Sequence, residues 1–361
     1  MMKNPYEIQI PALDARMMEA AEARQLSLAK PPKSLGVLEE ISVRFAGMTG
    51  KMFNEAKRRR ILIFSADNGV VEEGVTSAPQ SVTLAQTINF TRGLTGVAVL
   101  AKHYNTELKV VDVGINARFE QPGVIDRKIA LGTRNLAKEP AMSREQALQA
   151  LNTGYEMAAQ AAADGVAILG IGEMGIGNTT TSSAILSCLL GLPAEATTGR
   201  GGGVNDAGFA RKKEIIDSAI ARWEPDPKDV VDVMTKVGGF DIAAMCGAFL
   251  GAAAHRLPVV IDGYISAVSA LCAYRIRPES ANYFFGSHIS CERGYLLAMD
   301  EMKVKPMFQL EMRLGEGSGC PIAFEVIDGA LSVLKNMATF DEARIDDGYL
   351  SEIRSDAHLQ R

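Results

Sequence analysis

Two acids stand in unusual company. Glu173 lies within GIGEMGIGN (170–178), and Glu316 within RLGEGSG (313–319). The first run follows the apolar stretch Val166-Ala167-Ile168-Leu169 and precedes a helix-like segment from Thr181 to Leu190. A strand, a glycine turn and a helix together present backbone N–H groups to a phosphate. Glu173, read as part of that turn, would repel a phosphate, so the ligand must suit a phosphate cradle with a carboxylate beside it. Glu316 has glycine on both sides, which allows close ligand approach. A helix beginning near Ser318 favours its ionised form, whereas burial against an aromatic ligand would raise its pKa toward that of a general base. The plainer alternative makes Glu316 an ordinary acid at a helix start.

A second glycine loop, Thr198-Gly199-Arg200-Gly201-Gly202-Gly203, precedes Lys212 and Lys213. Two sets of backbone donors and one ammonium suit a single phosphate monoester, as on a mononucleotide. An exposed helix face is the alternative for the lysines. Gly170, Gly172 and Gly175 formally match the dinucleotide fingerprint, but that motif needs a second strand ending in an acid. Here the helix runs instead into Pro193 and the second glycine loop, which disfavours a NAD-dependent oxidoreductase. No P-loop occurs, nor the acidic run that binds phosphoribosyl pyrophosphate with magnesium. Ribose chemistry here would use a donor with one phosphate and no metal or cofactor.

Positioning these loops requires a scaffold. Strand-length apolar runs occur at 61–64, 108–113, 166–169 and 259–261, with weaker ones at 283–285 and 307–310. Helical periodicity fills the intervals, for example 143–163 and 207–220. The alternation predicts an α/β fold with a doubly wound, mostly parallel, Rossmann-like sheet. Most strands lead into loops rich in glycine, small polar residues or acids: SADNG (65–69), DVGIN (112–116), GIGEMGIGN, DGYIS (262–266), GSHISCE (286–292) and LGEGSG (314–319). Such loops converge outside the carboxyl ends of a parallel sheet, where ligands bind.

Composition narrows the class further. A net charge of -5 argues against nucleic acid or an anionic membrane as partner. The basic run Lys57-Arg58-Arg59-Arg60 reads as a solvated flank of the first strand. Five scattered cysteines and four separated histidines give neither a disulfide framework nor metal-ligand spacing. The opening MMKNPYEIQI lacks a signal-peptide core, and the apolar run 242–254 is too short to span a bilayer. These features predict a soluble cytoplasmic protein. Residues 347–361 read as a polar tail.

Taken in order, PPKSLG (31–36), SADNGV (65–70), GVTSAPQSVT (74–83), VVDVGI (110–115), GEMGIGNTT (172–180), TGRGGG (198–203), VGGFDIAA (237–244), PVVIDGYIS (258–266), SHIS-E (287–292) and RLGEGSG span nearly the whole chain. In these blocks it resembles the nicotinate-nucleotide:5,6-dimethylbenzimidazole phosphoribosyltransferases, which make the lower-ligand nucleotide of cobamides. The resemblance implies transfer of phosphoribose from nicotinate mononucleotide to an aromatic base, with release of nicotinate and inversion at the anomeric carbon. Glu316 matches the family's general base. Glu173 matches a carboxylate near the ribose, suited to a ligand anionic at its phosphate and transiently cationic at its sugar. By the same resemblance the phosphate meets Gly175, Ile176, Gly177, Asn178, Gly201, Gly202, Gly203, Lys212 and Ser290. The acceptor meets residues 77–86, including Ser77, Ala78, Gln80, Ala85 and Gln86, together with Leu314. The implied architecture is a large α/β domain (59–312) with a small helical domain from both termini (1–58 and 313–361), in a homodimer or paired with a homologous subunit.

Departures from the family pattern fall in the acceptor segment. Where the family has S-A-[YF]-P-Q-E-V-T-x-Q, an aromatic residue becomes Ala78 and a glutamine becomes Ala85, with Gln86 one place on. Asp-His-Gly becomes Asp67-Asn68-Gly69, and S-x-E-P-G-H becomes Ser290 to Tyr295 with Arg293 at the proline position. Lost stacking and a lost hydrogen bond weaken benzimidazole recognition. The expectation is therefore an altered acceptor, phenol or p-cresol, as in a phenol-activating relative of the family. The alternative is a non-catalytic partner of an active homologue.

Overall fold

The structure is a computed structural model that describes residues 4–350. Seven strands form a single parallel sheet: β1 (Arg59–Ala66), β2 (Glu107–Gly114), β3 (Val124–Asp126), β4 (Ile168–Met174), β5 (Val259–Ile261), β6 (Phe284–His288) and β7 (Pro306–Phe308). Their spatial order is β3-β2-β1-β4-β5-β6-β7. The strand order reverses between β1 and β4, so a crevice opens there at the carboxyl edge. The expected doubly wound α/β sheet is present, and β3 is a strand that its short, partly exposed sequence did not announce.

Two elements differ from their reading in the sequence. β4 does not end at Leu169; it runs through Gly170 and Gly172 to Met174, which places Glu173 on the strand and starts the turn at Gly175. The glycines serve close approach rather than turning. A β-carbon on Gly170 would lie 2.8 Å from Cys320 Cβ, and one on Gly172 would lie 2.4 Å from the Glu316 carbonyl oxygen. The basic run is a solvated flank only in its first half: Lys57 and Arg58 are exposed, whereas Arg59 and Arg60 are buried in β1. The Arg60 guanidinium is satisfied by Glu107 and Asp164, each at 2.7 Å.

The sheet belongs to one compact unit, residues 4–11 with Arg58–Ala323. Its interior includes the wholly buried β1 and the helix Phe240–Ala254, which presents glycine and alanine so that backbones meet closely. A β-carbon on Gly247 would lie 1.8 Å from the Leu151 carbonyl oxygen in the helix Arg144–Ala163. That second helix starts at a capping box in which Ser143 and Gln146 exchange side-chain and backbone bonds. Among the described residues no helix is long and apolar enough to cross a membrane.

The second unit comprises Ala12–Lys57 and residues 324–350. Its core joins Ala21, Val43, Ala46 and Leu334, with Met17 and Met18 packed against them. Within it the PPKSLG turn is pinned by Glu39, which accepts from Lys30 Nζ at 2.6 Å and from the Leu35 N–H at 3.0 Å. Residues 351–361, part of the expected polar tail, lie outside the described residues.

Candidate active site

A cleft of about 230 Å³ opens at the carboxyl ends of β4, β5 and β6. Glu173, next to last in β4, is buried at its edge. Its Oε2 accepts from Asn178 Nδ2 at 2.5 Å, and its Oε1 accepts from the Glu316 N–H at 3.4 Å. Burial, aided by the nearby Asp241 and Asp262 carboxylates, pushes its pKa up to about 8.

Asn178 opens the helix Asn178–Leu190, and the same Nδ2 donates to Asp241 Oδ2 at 2.9 Å. One amide thus holds two buried carboxylates. Asp241 sits in the first turn of its helix, after Gly238 and Gly239, and burial raises its pKa to about 6. A β-carbon on Gly239 would fall 2.5 Å from Asp241 Oδ1, so this turn has room only for glycine.

The loop carrying Glu316 is fixed from below. Asp262, just past β5, accepts the Gly317 N–H on Oδ2 at 2.9 Å and the Gly319 N–H on Oδ1 at 2.6 Å. Burial lifts its pKa to about 7. Gly315, Glu316 and Gly317 all have positive φ, at 80°, 64° and 88°. That conformation is uncommon for a side-chain-bearing residue such as Glu316, and such strain persists only where surrounding bonds hold it. Glu316 Oε1 accepts from Gln86 Nε2 at 3.2 Å, and Oε2 accepts from the Val97 N–H at 3.4 Å. Burial raises the Glu316 pKa, and these two bonds partly counter it.

The glycine loops face the acids. Gly175, Ile176, Gly177 and Asn178 line the cleft, with Gly177 at φ 94° as the helix cap. Gly201, Gly202 and Ser290 also line it. Lys212 stands behind this wall, fully buried, with Nζ donating to Thr179 Oγ1 at 2.8 Å and to the Gly199 carbonyl at 3.4 Å. Burial lowers its pKa to about 8. Gly203 does not line the cleft.

Of the acceptor segment, Ala78 and Gln86 line the cleft, as does Leu314. Ser77 instead donates to the Gly202 carbonyl at 3.2 Å, Gln80 accepts from Asn116 Nδ2 at 3.0 Å, and Ala85 is exposed on its helix. Asp241, Asp262 and His288 were not singled out from sequence. Asp241 comes two residues after a glycine pair, Asp262 follows β5 and His288 closes β6; the VGGFDIAA, DGYIS and SHIS blocks contain them without marking them as site residues.

A parallel doubly wound sheet whose carboxyl edge brings glycine loops and buried acids to one cleft defines an α/β protein with the layout of a small-molecule enzyme. The family model described as phosphoribosyltransferase matches residues 10–345, and the chain belongs to that family. It is 52% identical over 347 residues to the nicotinate-nucleotide–dimethylbenzimidazole phosphoribosyltransferase of Clostridium perfringens, covering 96% of each chain. A protein of the same name from Ruminiclostridium cellulolyticum is 50% identical, over 93% of this chain and 96% of its own. The crystal structure of the enzyme so named from Thermus thermophilus superposes with a TM-score of 0.88 at 36% identity, over 93% of this chain and 100% of that one.

Proposed function

We propose that the chain transfers phosphoribose from nicotinate mononucleotide to an aromatic acceptor of cobamide synthesis, with phenol or p-cresol favoured over dimethylbenzimidazole. The observation that carries the transfer is the pair Glu173 and Glu316 on one cleft, joined by the 3.4 Å bond from the Glu316 N–H. The donor's phosphate docks on Gly175–Asn178 and on Gly201 and Gly202, beside Ser290, with Lys212 supplying charge through Thr179. The pyridinium then lies against Glu173. Its positive charge lowers the Glu173 pKa, so the carboxylate is ionised when the glycosidic bond breaks and the sugar becomes cationic.

Nicotinate leaves with the bonding electron pair and needs no proton. The acceptor attacks the opposite face of C1′, and Glu316 takes the proton from its oxygen or ring nitrogen, later passing it to water. A pKa raised by burial makes Glu316 a stronger base than an ordinary carboxylate, which suits it to that task. The acceptor preference rests on Ala78, which offers no aromatic face, and on Gln86, whose amide is engaged by Glu316 rather than free for a base. The reading with dimethylbenzimidazole as acceptor is favoured by the names of the relatives at about half identity. Incubation with nicotinate mononucleotide and phenol, p-cresol or dimethylbenzimidazole separates the two. The preference predicts faster transfer to the phenols; turnover with the benzimidazole alone contradicts it.

A further inference from the structure

His288 ends β6 inside the cleft, almost fully buried, and its Nε2 has no hydrogen-bond partner. An orphaned polar atom facing a binding cleft costs free energy until a ligand satisfies it. The sense of the missing bond can be derived. Ser287 Oγ has one proton, and it donates to the Asp262 carbonyl at 3.0 Å, an oxygen that can only accept. The same Oγ, 3.1 Å from His288 Nδ1, is left to accept, so Nδ1 carries the hydrogen. Asp262 Oδ1, 3.9 Å from Nδ1, favours that tautomer as well. Burial keeps the ring neutral, lowering its pKa to about 4. Nε2 is therefore a bare acceptor.

The ring is fixed against Phe308, with centroids 6.4 Å apart. It also needs Gly319, where a β-carbon would lie 2.4 Å from Nδ1. Nε2 and Ser290 Oγ both stand 3.9 Å from where a β-carbon on Gly263 would fall, so they border one pocket that the glycine leaves open. An acceptor there requires a donor on the ligand. In nicotinate mononucleotide the carboxylate is ionised, the pyridinium nitrogen bears the sugar and no proton, and the phosphate (second pKa near 6) is largely dianionic. Only the ribose hydroxyls can donate.

We propose that His288 binds the sugar of the phosphoribosyl donor, its Nε2 accepting from a ribose hydroxyl and setting the sugar's rotation between the glycine loops and the acids. This rests on the phosphoribosyl-transfer reading above. The test compares wild type and His288→Phe with nicotinate mononucleotide and its 2′-deoxy and 3′-deoxy analogues. Wild type should discriminate against one analogue by roughly tenfold in kcat/KM, and the variant should lose that discrimination for the same analogue. Unchanged discrimination in an active variant overturns the proposal, as does a variant impaired only in KM for the aromatic acceptor. Should the variant not fold, imidazole 15N spectra of wild type decide. An unprotonated Nε2 whose resonance moves on adding nicotinate mononucleotide supports the contact; a protonated or unresponsive Nε2 refutes it. If wild type transfers nothing at all, the transfer reading fails, while the Nε2 response still decides the His288 contact.

Discussion

At the scale of single residues, the cleft sets carboxylates against their usual chemistry. Glu316 is buried yet keeps two donors, Gln86 Nε2 and the Val97 N–H, and both favour its charged form. Both donors are neutral, which suits the general-base role proposed for Glu316 better than a salt bridge would. Gln86→Leu removes one of those donors and so raises the Glu316 pKa further. The acid limb of the kcat/KM profile should move to higher pH, with kcat at its plateau lowered by about tenfold or less. A pH–rate series on the variant checks this; a limb that stays put or moves to lower pH counts against the Gln86 contact.

At the scale of elements, β4 and the 315–317 turn behave as one piece. Gly172 has no β-carbon because the Glu316 carbonyl occupies that space, and Asp262 ties the turn to β5 through Gly317 and Gly319. Gly172→Ala should push the turn away and cost about 1–3 kcal/mol of stability. Activity should fall further than the lower melting temperature alone explains, as read from kcat at a temperature where both proteins are folded. The sequence announced the acids through their glycine neighbours, and strand-length apolar runs located most of the sheet. It misplaced Glu173 in a turn because glycine is the common sign of turning, whereas here it marks strand backbone packed against another segment. Asp241, Asp262 and His288 escaped notice because each comes from a separate element, and only the folded sheet brings their side chains to one edge. Arg60 was misread for a related reason: its partners Glu107 and Asp164 are distant in sequence, so a basic run looked solvated.

At the scale of the whole molecule, several buried carboxyls make the empty protein prefer its protonated form. The pKa values of Glu173, Asp262 and Asp241 rise from ordinary values of 4.5, 3.8 and 3.8 to about 8, 7 and 6. Between those limits the folded state binds more protons than the unfolded chain, so stability falls as pH rises. Melting temperatures of the ligand-free protein should drop between pH 5.5 and pH 8.5, and Glu173→Gln should flatten the drop; a rise across that window would contradict the buried-acid arrangement. The phosphoribosyl-transfer account as a whole depends most on Glu316 as the group that takes the acceptor's proton. Its most direct test is kcat for Glu316→Gln with saturating nicotinate mononucleotide and aromatic acceptor. The account predicts a loss of about 10²–10⁴-fold with nucleotide affinity little changed; a variant that turns over at the wild-type rate would contradict it.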